Sequence, residues 1–192
     1  MDYVDYLMMY KKVEPTEFPT EFNGFTFRKF NGSESDIKLW FDICRCGIIR
    51  DDETLESAYK TRLIEHIGYN PDTIYFVVEN GIEIATVTAL TEENGTGWLH
   101  MVTAKPEARG KGVAKYLVAI AEAAIYKNGM EKILLQTKEF RSVAIKAYLR
   151  AGYKPVLYKD EMEERWCKFL SEHGCSGIDA VDEDGNFIKK LN

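Results

Sequence analysis

Apolar residues along this chain recur with two periods, and the switches between them mark out the elements. Phe25-Thr26-Phe27-Arg28-Lys29-Phe30 alternates every second residue, the spacing of a strand with one buried face. Asn31-Gly32-Ser33 is turn chemistry, and Ser33 or Ser35 is placed to cap a helix. Ile37, Trp40, Phe41, Cys44 and Ile48 then follow at helical spacing. A second helix is predicted from Asp52 to Ile67, with Leu55, Tyr59, Leu63 and Ile67 in phase, and Asn70-Pro71-Asp72 closes this half. Ile74 to Glu79 reads as a buried strand, Asn80-Gly81 as a hairpin turn, and Ile82 to Leu90 as the antiparallel partner. The polar stretch from Thr91 to Thr96 leads into a strand from Trp98 to Ala104, which Pro106 stops. Val113, Leu117, Ile120, Ala121, Ala124 and Ile125 form one stripe of a long helix ending near Asn128-Gly129. A short strand at Ile133 to Thr137, a helix from Ser142 to Ala151 capped by Gly152, and a strand from Tyr153 to Tyr158 complete the core. Asp160 to Glu172 is an added helix holding Met162, Trp166, Phe169 and Leu170. Asp182-Glu183-Asp184-Gly185 is a turn between two short extended pieces, without the ligand spacing or closing Glu of a calcium loop.

The order β-α-α-β-β-β-α-β-α-β mixes a hairpin meander with strand–helix–strand crossovers. It predicts an α/β (α+β) protein with a mixed central sheet and helices on both faces. Residues 25–158 form the expected domain. Residues 1–24, aromatic-rich and broken by Pro15 and Pro19, read as an N-terminal extension packing on it, and 159–192 as a C-terminal helix and tail.

Composition narrows the function classes. A net charge of −6 and a pI near 5.2 argue against nucleic-acid binding. No stretch approaches the ~18–20 apolar residues of a membrane span, and Met1-Asp2-Tyr3-Val4-Asp5 carries acid where a leader carries base. Cys44, Cys46, Cys167 and Cys175 fit neither a disulfide framework nor a zinc site, so reduced thiols in the cytoplasm are the expectation. A homodimer stays open.

The candidate chemistry sits where the Trp98–Ala104 strand gives way to the long helix. Arg109-Gly110-Lys111-Gly112-Val113-Ala114 is a glycine loop opening a helix. The first N–H groups of a helix have no partner within it, and its dipole favours an anion there. The loop is neither G-x-x-x-x-G-K-[ST] nor G-x-G-x-x-G. Its Arg-x-x-Gly-x-Ala pattern, Arg109, Gly112 and Ala114, preceded by Val102-x-Ala104-x-Pro106, resembles motif A of the GCN5-related N-acetyltransferases. Ala144-Ile145-Lys146-Ala147-Tyr148 through Gly152-Tyr153 resembles a second motif of that superfamily, A-I-x-x-Y-x-x-x-G-[FY].

The resemblance covers roughly residues 25–158 and implies acetyl-CoA as cosubstrate and a small-molecule or peptide amine as acceptor. It implies splayed fourth and fifth strands, with pantetheine against the backbone of Val102, Thr103 and Ala104. It implies pyrophosphate on the amides of Arg109, Gly110, Lys111, Gly112, Val113 and Ala114, and direct attack of the amine through a tetrahedral oxyanion stabilised near Val102. Tyr148 takes the role of general acid toward the departing thiolate, against the alternative of an amphipathic core residue. His100 is the candidate base, with a packed strand histidine as an equal reading. Arg141 stands where many family members carry Asn, and either binds a coenzyme phosphate or is exposed. The Lys111 side chain either pairs with phosphate or points to water. Glu79 and Glu83 read as solvated edge charges. Trp40, Trp98 and Trp166 read as core more than as a cation cage, and His66 and His173 stand alone. A non-catalytic acyl-CoA-binding sensor is the alternative to an enzyme.

Overall fold

The computed structural model of the protein describes residues 6–192; the acidic stretch Met1–Asp5, read above as unlike a leader, lies outside the described residues. In chain order the elements are β1 (Leu7–Lys12), β2 (Phe25–Lys29), α1 (Glu34–Cys44), α2 (Leu55–Tyr59), β3 (Ile74–Glu79), β4 (Ile82–Thr91), β5 (Thr96–Ala104), α3 (Val113–Lys127), β6 (Lys132–Thr137), α4 (Ser142–Arg150), β7 (Lys154–Val156), α5 (Glu161–Glu172), β8 (Ile178–Val181) and β9 (Phe187–Leu191). A π-turn at Lys60–Ile64 continues α2, and 3-10 turns occupy Pro71–Thr73 and Pro106–Ala108. β1–β6, β1–β7, β2–β3, β3–β4, β4–β5 and β8–β9 pair antiparallel and β7–β8 pairs parallel, so the architecture is mixed α/β as the element order predicts. No described helix is long and apolar enough to cross a membrane. The chain divides into two compact units.

In the unit Val13–Glu131, β2, β3, β4 and β5 pair antiparallel in that order. Trp40, Ile43 and Cys44 of α1, Ala58 of α2 and Leu63 of the π-turn pack on Phe76 and Met101 in one buried cluster. The Ser33 hydroxyl caps α1 by accepting from the Asp36 amide at 3.2 Å. Asp36 is buried, and Arg28 grips it with two bonds of 2.8 Å while reaching Glu83 at 2.7 Å. That fork holds the Asp36 carboxyl below its usual range and ties β2, α1 and β4 together. Glu83, expected to be solvated, is therefore an ion-pair partner. α3 buries Val113, Leu117, Ile120, Ala121, Ala124 and Ile125, the stripe its periodicity announces.

In the unit of residues 6–12 with Lys132–Asn192, the strands run β6-β1-β7-β8-β9. β1 is central: Leu7 faces Thr137 and Lys12 faces Lys132 on one side, and Met8 faces Val156 on the other. The element list read from the sequence lacks this strand. Leu7, Met8 and Met9 are all buried, so the run is continuously apolar and shows no period-two alternation. β7 is shorter than the expected Tyr153–Tyr158 strand. α5 buries Met162, Trp166, Phe169 and Leu170. At the β8–β9 turn the Asp182 carboxylate accepts from the amides of Asp184 and Asn186, each at 2.9 Å. Gly185 is obligatory there, because a Cβ would lie 2.2 Å from the Tyr10 ring.

Gly97 shows the same constraint at β5, where an added Cβ would lie 2.5 Å from Cγ2 of Ile125. Gly97→Ala should cost about 1–3 kcal/mol in urea unfolding. Combining it with Ile125→Ala should cost less than the sum of the single changes, because the clash is with that side chain.

Candidate functional site

β5 ends at Ala104, and the chain then turns through Pro106–Ala108 into Arg109-Gly110-Lys111-Gly112 before α3 begins. Gly110 and Gly112 sit at φ of 77° and 86°, left-handed conformations that cost a side-chain-bearing residue strain. Gly112 is the N-cap of α3 and offers no side chain to cap it. Among the described residues no acceptor bonds the main-chain N–H groups of Gly110, Lys111, Gly112, Val113 or Ala114. Five consecutive donors at a helix start, beside a favourable dipole, can bind an anion of phosphate type.

The side chains nearby turn to protein groups. Arg109 donates from Nη2 to the Cys46 carbonyl at 3.1 Å. Lys111 Nζ contacts both oxygens of Glu79 at 2.9 and 2.8 Å, so neither residue is the free surface charge that its sequence position suggests. Lys115 Nζ lies 5.6 Å from the centroid of the Phe22 ring. The backbone is therefore what the loop presents.

Val102, Thr103 and Ala104 occupy the end of β5, where Thr86 faces Thr103 and Ala85 faces Ala104. Next along the pair Thr88 faces His100, so β5 carries one residue more than β4 and bulges. Met101 takes the extra step at φ 50°, which a methionine rarely adopts; its side chain is buried in the α1 cluster, which holds it there. The bulge puts His100 and Met101 both toward the helical side.

His100 lies 2.6 Å through Nε2 from the Arg62 carbonyl, and its ring centroid is 4.3 Å from that of His66. Burial pushes its pKa down to about 4 against the opposing hydrogen bond to the Arg62 carbonyl, with the charges of His66 and Arg62 contributing smaller lowering effects. The ring is thus neutral at pH 7. His66, isolated in the sequence, is lowered in the same direction by burial. His173 is the helix-end residue of α5, bonded through Nδ1 to the Phe169 carbonyl at 2.8 Å.

Tyr148 belongs to the other unit, on α4, whereas His100, Val102–Ala104 and the glycine loop share the first. It is 7% exposed and packs edge-on against Tyr153 with ring centroids 5.9 Å apart. Burial raises its pKa to about 12 against the pull of Arg141, so the phenol keeps its proton at neutral pH. Arg141 lies over the Phe140 ring at 5.3 Å. Trp40 and Trp166 are fully buried, which accounts for them as core residues. The four cysteines are free thiols, and burial pushes that of Cys44 far up.

Sequence reasoning missed Arg62 and Thr88. Arg62 reaches the site only through its main-chain carbonyl, which no side-chain motif encodes. Thr88 is fully buried opposite His100 with its hydroxyl unpartnered among the described residues.

Residues 39–153 match the family model described as Acetyltransferase (GNAT) family. No curated protein matches the chain. Among solved structures, it is similar to a GCN5-related N-acetyltransferase from Sphaerobacter thermophilus, at 23% identity and TM-score 0.62, over 79% of this chain and 48% of that one. One from Kribbella flavida shows 16% identity and TM-score 0.55, over 80% and 55% of the two chains. A Mycobacterium tuberculosis protein in complex with CoA shows 13% identity and TM-score 0.52, over 74% and 81%. The chain thus spans about half the length of the first two, and at these identities the likeness is one of fold.

A histidine lowered by burial stabilises the fold when neutral. That contribution is complete above its unfolded pKa of about 6.5 and is lost as pH falls toward 4. The stability of the native protein minus that of His100→Gln should therefore fall by about 2–3 kcal/mol between pH 7 and pH 4, measured by denaturant titration at each pH.

Proposed function

The chain belongs to the acetyltransferase (GNAT) family, and from that premise we propose that it is an N-acetyltransferase moving the acetyl group of acetyl-CoA to a primary amine. The observation that carries this reading is the run of five main-chain N–H groups, Gly110 to Ala114, without protein acceptors at the start of α3. These donors suit a diphosphate, and the CoA bound by the structurally similar Mycobacterium tuberculosis protein has one. The cosubstrate supplies a thioester-activated acetyl group. Val102, Thr103 and Ala104 supply main-chain groups to the pantetheine arm, and an N–H near Val102 supports the oxyanion as the amine attacks directly through a tetrahedral intermediate.

Tyr148 protonates the departing thiolate. A CoA thiol titrates near the free-cysteine value of about 8.5, and a phenol raised to about 12 is fully protonated where it must donate. The same shift weakens it as an acid, so the donation is coupled to thiolate departure and does not precede it. His100 is neutral and receives a hydrogen bond or a proton from the amine. The activity is assigned to residues 25–158 and, with its free thiols, to the cytoplasm. The acceptor is a small-molecule or peptide amine.

Calorimetry separates the parts of this proposal. CoA should bind far more tightly than pantetheine, which lacks the diphosphate; equal affinity removes the loop from the site. Incubation with acetyl-CoA and a panel of amines should release free thiol. Tyr148→Phe should lower kcat about 100-fold or more with CoA affinity unchanged. Binding of CoA without thiol release from any amine would make the chain an acyl-CoA-binding module instead.

A further inference from the structure

α2 is regular only to Tyr59. Beyond it Glu65 donates to the Lys60 carbonyl, five residues back, at 3.0 Å. His66 then donates to Leu63, three residues back, at 2.9 Å. In an uninterrupted α-helix the His66 N–H would go to the Arg62 carbonyl. The π-turn diverts it, and the Arg62 oxygen receives His100 Nε2 at 2.6 Å instead. A carbonyl oxygen only accepts, so Nε2 carries the hydrogen. A neutral imidazole holds one such hydrogen, so Nδ1 carries the lone pair.

The carbonyl is itself held in place. The Arg62 guanidinium bonds Glu53 from Nε at 3.1 Å and from Nη2 at 2.9 Å, and the Glu53 side chain is only 10% exposed. Glu53 in turn accepts from the Arg50 amide at 3.0 Å. Around His100 stand Arg62 and His66 from the π-turn and the segment after it, and Thr88 from β4. Thr88 is the direct cross-strand neighbour of His100, so the two side chains share a face of the sheet.

We infer that Arg62 is a positioning residue: its carbonyl, released by the π-turn, locks His100 as the Nε2–H tautomer and keeps Nδ1 as a hydrogen-bond acceptor for the N–H of the acceptor amine. The unpartnered Thr88 hydroxyl provides a second polar group on the same face. The inference rests on the assignment of His100 to the acceptor side of the proposed acetyl-transfer site. It gives the π-turn a purpose, since the helical ladder would otherwise consume the one acceptor that fixes the ring.

Nitrogen-15 NMR of the full chain, labelled at histidine, tests it without substrate. At pH 7 the His100 signals, identified by their loss in His100→Gln, should show a protonated Nε2 and an unprotonated Nδ1. A ring in the Nδ1–H form, or an even mixture, overturns the inference. Steady-state kinetics adds the functional arm, because the Asn carboxamide oxygen can stand near the Nδ1 position while the Gln amide can replace Nε2–H. His100→Asn should keep at least about one-tenth of kcat/KM, and His100→Gln, though it can keep the bond to the Arg62 carbonyl, should lose about 100-fold. The reverse order overturns the role of Nδ1. A chain that transfers no acetyl group to any amine would sink the proposed function while the tautomer signature stood or fell by itself.

Discussion

Main-chain N–H and C=O groups taken from water must find partners, and in this protein the places where the regular ladders fail to supply them are the places with chemical interest. Three such interruptions in the unit Val13–Glu131 border the candidate site. The π-turn after α2 gives up the Arg62 carbonyl, the bulge in β5 re-aims His100 and Met101, and the left-handed glycines before α3 leave a row of donors unclaimed. Each has a local cause in the backbone and none depends on an unusual side chain. The hydrophobic cluster of Trp40, Phe76 and Met101 makes the second affordable by burying the strained residue.

Charge is handled by the opposite strategy in different parts of the fold. Where charge is kept, it is paired: Arg28 with Asp36 and Glu83, Arg62 with Glu53, Lys111 with Glu79. The two residues proposed to handle protons are buried and uncharged: Tyr148 retains its proton and His100 lacks its second one at neutral pH. Desolvation is the largest cause of both shifts, since it raises an acid that ionises to an anion and lowers a base that ionises to a cation.

The loop and the helix behind it were legible because their signals are local: glycines at fixed spacing, a proline stop and an apolar stripe from Val113 to Ile125. The hairpin at Asn80-Gly81 was legible for the same reason, with Asn80 at φ 52° and Gly81 at 78°. β1 escaped because a strand buried on both faces has no alternation to detect. The π-turn escaped because Leu55, Tyr59 and Leu63 fit an unbroken helix, and one widened turn barely moves the apolar stripe. His66 and His100 are 34 positions apart in the numbering, and the fold brings their tilted rings to a centroid distance of 4.3 Å. Lys111 and Glu79 looked like surface charges because their pairing is made across β-strand and loop, a contact without sequence periodicity.

β1 also sets an order of events during synthesis. Its residues leave the ribosome long before the strands on either side of it, β6 and β7, which begin at Lys132 and Lys154. Until those segments emerge, Leu7, Met8 and Met9 form an apolar edge with nothing to cover it, while the Val13–Glu131 unit already contains all of its own strands. The nascent chain therefore completes one unit while β1 waits, and the other closes late around a strand made well before its neighbours.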